Sequence, residues 1–244
     1  MKKLIATILA LTVLLTSFSA IPISAEAKVK YTKKSIDYST KYSFGNDYLY
    51  AQYLVLSGRS NGVKKINKRL YTTAYDFMKY SKKGENEQMI SFIYEYDGFN
   101  SLYDTLDIKP AYNKDKIFSV KYYFHYQHGG APIKNTYGKA FNVKTGKLLK
   151  IADLVPKAYN PTTKSGYKKL RKYVYKKLKK KYSSSEYMPD IADTFNSKYD
   201  TKKALNDANY VLTSKGKLYM YFMTYNLSNN ADGCLFVKIP SKYA

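Results

Sequence analysis

The chain has 244 residues, with 42 Lys and Arg against 18 Asp and Glu, and a formal net charge of +24. It carries 29 Tyr, no Trp, one Cys and two His, and its hydrophobic fraction of 45% excludes a disordered polycation. A single Cys excludes a disulfide framework and a Cys-rich zinc module, and two His leave little for a His-built metal site, so no cofactor is expected.

Residues 1–27 read as a secretory signal. Lys2 and Lys3 form a basic start, Leu4 to Ala20 is apolar, and Ile21-Pro22 breaks the run. Ala25-Glu26-Ala27 is a small-x-small site, which predicts cleavage after Ala27. The apolar run is short for a span of about 20 residues, so no transmembrane anchor is expected after cleavage. The expected location is extracellular, in association with the cell wall. Residues 28–46 are polar and without clear period, and read as a partly disordered leader.

Tyr48 to Leu56 reads as a strand ending at a turn at Ser57-Gly58. Asn61 offers a helix cap, and Val63, Ile66, Leu70, Ala74 and Phe77 then recur at helical spacing to about Tyr80. Gln88 to Tyr96 reads as a strand bounded by Asp97-Gly98. Leu102 to Ala111 and Ile117 to Tyr126 read as two strands around Asn113-Lys114-Asp115. In the second, Phe118, Val120, Tyr122, Phe124 and Tyr126 share one face, while Ser119, Lys121, Tyr123 and His125 share the other. Tyr137 to Val143 is a further strand, with a tight turn over residues 144–147.

Residues 165–182 give the strongest helical pattern. Tyr167, Leu170, Val174 and Leu178 form its apolar stripe. Tyr187 to Asn206 is irregular with short helical stretches, Tyr210–Thr213 and Leu218–Asn226 form a hairpin, and Cys234 to Ile239 is a last strand. The expected class is α+β: a mostly antiparallel sheet with two or three helices, as an N-terminal subdomain over 47–98 and a larger one over 99–244. Cys234 is expected to be buried and inert within its strand.

Several stretches carry a family resemblance. Tyr126-Gln127-His128-Gly129-Gly130-Ala131 follows an aromatic strand. Phe141-Asn142-Val143-Lys144-Thr145-Gly146-Lys147 and Leu149-Lys150-Ile151-Ala152-Asp153-Leu154 come next, and Val237-Lys238-Ile239-Pro240 ends the series. Their order resembles the extracytoplasmic domains of unknown function found in lysozyme-sensing anti-sigma factors. It also resembles the module upstream of some peptidoglycan deacetylase domains. Tyr53 to Gly58 with Ile66-Asn67 resembles the smaller companion domain of that family. The resemblance spans roughly residues 45–241 and implies an envelope-facing binding domain. It marks Gly129, Gly130, Ala131, Thr145, Gly146 and Asp153 as motif positions. Position 132 is Pro132 where the family usually has His, so no role of that His carries over.

No catalytic motif assembles from the sequence. Gly129-Gly130 lacks phosphate-loop spacing, no Gly-x-Ser-x-Gly elbow occurs, and spacing alone does not pair Asp97, Asp104, Asp107 or Asp153. Asp153 reads as a cap for a short helical turn. The most informative feature is the basic face of helix 165–182, with Lys168, Lys169, Lys172, Lys176, Lys179 and Lys180. Lys168, Lys172, Lys176 and Lys180 stack at fourth positions, and no acid relieves them. Such a face either stays solvated or docks on a polyanion. The expected function is a non-catalytic envelope-binding domain, with an anionic cell-wall polymer as partner. Recognition of a muramidase, or envelope-stress sensing, is the alternative, ahead of a peptidoglycan-modifying enzyme.

Overall fold

The structure is a computed structural model that describes residues 28–42, 45–84, 101–127, 133–183, 188–197, 202, 204–205, 208–222 and 234–244. The signal segment, the Gln88–Tyr96 strand and the Gly129-Gly130-Ala131 loop lie outside the described residues. A five-stranded sheet runs in the order β1-β2-β3-β4-β5, and a three-stranded sheet in the order β6-β7-β8. All strand pairs are antiparallel except β2 with β3. The class is mixed α+β, as the sequence indicates.

The segment read as a polar leader holds strand β1 (Tyr31–Tyr42), paired along its length with β2 (Gly45–Leu56). The reason lies in position. β1 is an edge strand held by backbone hydrogen bonds, and over Tyr31–Asp37 only Ile36 is even half-buried. An edge strand needs no apolar alternation, so its sequence shows none. Asn113 ties down Val29, two residues before the strand. Its side chain accepts from Val29 N at 3.0 Å and donates to Val29 O at 2.7 Å.

Helix α1 (Asn61–Gly84) begins one residue earlier than a cap at Asn61 implies. Ser60 Oγ accepts from Val63 N at 3.2 Å, and Asn61 is already helical. Val63, Ile66, Leu70, Ala74 and Met78 are buried against the first sheet. Phe77 stands at the margin, its ring 5.5 Å from that of Phe124. Asn67 clamps helix to strand by accepting from Leu56 N and donating to Leu56 O.

Strands β3 (Ser101–Lys114) and β4 (Ile117–Gln127) are joined at Asp115 and Lys116, both with φ near +55° (53° and 58°). That geometry is a two-residue turn whose twist suits a hairpin. The alternation in β4 holds. Phe118, Val120 and Tyr122 are fully buried under α1, while Lys121, Tyr123 and His125 lie on the far face. The β2–β3 pairing also joins strands from both sides of the 98/99 boundary expected between subdomains.

β5 (Ile133–Asn142) completes the first sheet, followed by the short helix α2 (Ile151–Leu154). Helices α3 (Lys164–Lys181) and α4 (Met188–Asn196) and strands β6 (Asn209–Leu212), β7 (Leu218–Phe222) and β8 (Leu235–Ile239) build the second layer. Thr163 Oγ1 caps α3 by accepting from Gly166 N at 3.1 Å. Leu170, Val174 and Leu178 of α3 pack into a core with Ile191, Phe195 and Met220. Each such side chain contributes about 1.5–3 kcal/mol on burial. Like-charge pairs on the helix surface cost only a few tenths of a kcal/mol each, so packing decides that the lysine-rich segment is helical.

The two sheets meet where Tyr210 O faces Gly138 of β5. A Cβ on Gly138 would lie 2.4 Å from that oxygen and 2.9 Å from Val120 O. We predict that Gly138→Ala destabilises the fold by about 1–3 kcal/mol through overpacking against backbone, read as a lower denaturation midpoint. Among the described residues, no helix is long and apolar enough to cross a membrane.

Candidate functional site

The far face of the first sheet does not lie open. β7 and β8 rise beside it and leave a groove of about 770 Å³. β3 supplies Thr105, Asp107 and Lys109, and β4 supplies Lys121, Tyr123 and His125. Lys134 and Thr136 come from β5, with Tyr221 and Phe236 on the second sheet and Cys234 at its edge. Strand pairing sets these residues side by side: Lys109 opposite Lys121, Asp107 opposite Tyr123, and His125 between Thr105 and Lys134.

Lysines and rings interleave in the groove. Lys121 Nζ lies 4.5 Å from the Tyr123 ring centre and 5.4 Å from that of Tyr221. Lys109 Nζ lies 5.5 Å from Tyr123. Tyr221 and Phe236 stack with centres 5.4 Å apart. Each cation–ring contact is worth about 0.5–1 kcal/mol at an exposed site. Burial raises the Tyr221 hydroxyl above its usual pKa, with the Lys121 charge opposing, so the phenol stays neutral. Burial also lowers the His125 pKa, Lys134 lowers it further and Asp104 opposes, so the imidazole is neutral at pH 7.

The six predicted lysines of α3 are all exposed and line the outer face of the helix, not the groove. The end of that helix nevertheless reaches the groove wall. Lys181 Nζ sits 3.0 Å from the Phe236 ring centre and donates to Phe236 O at 3.1 Å. Tyr182 OH accepts from Phe236 N at 3.1 Å.

The described motif positions serve structure. Thr145 N donates to Asn142 Oδ1, and Thr145 Oγ1 accepts from Lys147 N. Gly146 has φ of +72°, and a Cβ there would lie 2.6 Å from Lys65 Cβ and 2.8 Å from Gly62 O. The turn thus packs on the first turns of α1, where only glycine fits. Asp153 caps as expected, from the third helical position rather than the N-cap: its carboxylate accepts from Lys150 N at 2.8 Å and pairs with Lys147 at 3.6 Å. None of the three lines the groove.

One expectation changes. Cys234 is half-buried just before β8, not inside a strand, and its Sγ donates to Asn135 Oδ1 at 3.0 Å. Of the acids considered for hydrolysis, Asp97 lies outside the described residues; alternation puts Asp104 and Asp107 on opposite faces of β3, and Asp153 lies on α2. Among the described residues, no group of three or more His, Cys, Asp or Glu could hold a metal ion. The arrangement suits binding of an anionic, ring-bearing ligand by ammonium groups and flat aromatic faces. Sequence reasoning missed Lys109, Lys134, Tyr221 and Phe236; the available signal was the polar, aromatic far face of β4.

No family model and no curated protein matches the sequence. Solved structures do. A member of the DUF3298 family from Bacteroides fragilis superposes with a TM-score of 0.55 at 14% identity, covering 87% of this chain and 90% of that one. A DUF3298 family protein from Pseudomonas aeruginosa gives 0.51 at 11% identity, covering 89% and 93%. The chain shares its fold with these proteins. Neither likeness brings in a catalytic family.

A neutral His125 in the native state has a consequence for stability. The unfolded chain binds a proton below about pH 6.5 more readily than the native one, so stability is fullest above that value and falls as the pH drops below it. We predict that His125→Gln flattens the loss of stability between about pH 6.5 and 5 in denaturant titrations. An unchanged slope contradicts the assignment.

Proposed function

We propose that this protein is a secreted, non-catalytic binding domain of the cell envelope, retained on an anionic wall polymer. The observation that carries the reading is the run of positive charge from helix to groove. The outer face of α3 presents Lys168, Lys172, Lys176 and Lys180, and its last turn brings Lys181 onto Phe236 at the groove wall. A phosphate-rich chain laid along the helix would continue into a trough where, among the described residues, Lys109, Lys121 and Lys134 face a single lining carboxylate, Asp107. Attraction of this kind is long-ranged and salt-dependent. The signal-like segment at 1–27 supports placing that charge outside the cell, where teichoic-acid phosphates supply the counter-charge. A basic muramidase fits less well, because like charges at the groove would slow its approach.

The test is retention of the mature protein on purified walls with and without teichoic acid. Retention should require the polymer and fall with the logarithm of salt concentration. The triple variant Lys168→Glu, Lys172→Glu, Lys176→Glu should weaken binding by about tenfold or more while keeping the wild-type denaturation midpoint, since all three side chains are exposed. Equal retention on stripped walls at low salt sinks the reading.

A further inference from the structure

A second cleft, of about 550 Å³, opens on the other side of the first sheet, between α1 and β5. Its helical wall repeats at three and four residues: Lys65, Lys68, Arg69, then Thr73 and Asp76. The strand contributes Lys139. Lys139 is paired with Val120 in the ladder, so its stem enters the apolar face that α1 covers. It is half-buried, and its Nζ lies 5.8 Å from the centre of the Tyr122 ring.

The ammonium is held in place but not neutralised. It donates to Thr73 Oγ1 at 2.7 Å, and Thr73 Oγ1 in turn donates to Arg69 O at 2.8 Å. The hydroxyl proton is thereby committed to the helix, and its lone pair fixes Lys139. An ammonium has three donors, and Thr73 takes one. Asp76, the one carboxylate among the described residues lining the cleft, makes no ion pair with Lys139 within 4 Å. Burial first, and the nearby Arg69 charge second, push the Lys139 pKa down, with Asp76 opposing. Among the described residues, four cationic side chains thus converge on one space against one acid.

We propose that this cleft binds a single phosphate-class oxyanion, with Lys139 and Arg69 as its principal ligands. A phosphate matches the geometry on two counts. The guanidinium fork and the ammonium together suit a tetrahedral group with several acceptor oxygens. The net positive lining suits an ion of charge between one and two units better than a carboxylate. The volume leaves room for the organic group that carries the phosphate. The site is separate from the groove and from the outer face of α3, so it stands independently of the wall-polymer reading.

The test is calorimetric titration of the mature protein with inorganic phosphate and glycerol 3-phosphate, and of the α3 triple variant, whose helix no longer docks polymer, with these two and a poly(glycerol phosphate) chain. At least one should bind at near-physiological salt, and the tightest identifies the source of the phosphate. Lys139→Met and Arg69→Gln should each weaken that binding by about tenfold or more. Asp76→Asn should tighten it, an outcome that misfolding does not produce. Inorganic phosphate and glycerol 3-phosphate should bind the α3 triple variant as tightly as the wild type. On binding, the Lys139 ammonium should titrate at higher pH, read by nitrogen-detected NMR. Absence of binding with all three compounds overturns the proposal, as does wild-type affinity in both Lys139→Met and Arg69→Gln.

Discussion

The approach of β6 to β5 at Gly138 sets how the second sheet lies on the far face of the first. A missing Cβ lets the Tyr210 carbonyl close on the sheet, and the Tyr210 hydroxyl donates to Leu149 O. Backbone contact at that point seals one end of the far face, where Ser119 is fully buried. Further along, the second sheet meets the first through side chains, Lys121 against Tyr221 and Cys234 on Asn135. Lys121, Tyr123 and His125 then line a groove instead of a core. The groove is therefore a product of how two sheets dock, and its walls are strand positions of fixed register.

The same docking explains why two cores coexist in one chain. The α1 core is roofed by a helix with a regular apolar stripe, and it takes the β4 face that alternates most cleanly. The other core gathers α3, α4 and the small sheet, and borrows Tyr112, Ile117 and Ala140 from the first sheet. The last residues close it, with Lys242 N donating to Leu154 O and the Tyr243 ring 5.9 Å from Tyr112.

Legibility followed burial. α1, α3, β4 and the hairpin of β6 and β7 were readable because each buries one face, and burial imprints a period on sequence. β1 was not, because its pairing is carried by backbone groups that every residue supplies. The groove was half readable: Lys121, Tyr123 and His125 stood out as a face turned from the core. Their partners Tyr221 and Phe236 are about 100 residues away, and no local period connects them. The lysines of α3 were legible as a face, but their link to the groove rests on Lys181 meeting Phe236, a tertiary contact. Thr145 and Gly146 drew attention as motif residues, and their roles turned out to be a hairpin turn and its seat on α1.

The high tyrosine count bears on charge as much as on packing. A lysine paired with a carboxylate is neutralised, as Lys147 is by Asp153 at the surface. A lysine set over a ring keeps its full charge while its position is narrowed. Lys109 and Lys121 sit over Tyr123, Lys177 over Tyr173, Lys139 over Tyr122, and Lys181 over Phe236. The ring quadrupole stabilises each by about a kcal/mol or less, too little to offset a strong anion, so an incoming phosphate would still find the cation available. A chain with 42 basic and 18 acidic residues has too few carboxylates to place its lysines by ion pairing. Tyrosine does that work without removing the charge, and both clefts inherit cations that are oriented but unneutralised. Preorganisation of that kind lowers the ordering cost of binding an anion, which a flexible, solvated lysine face would meet in full.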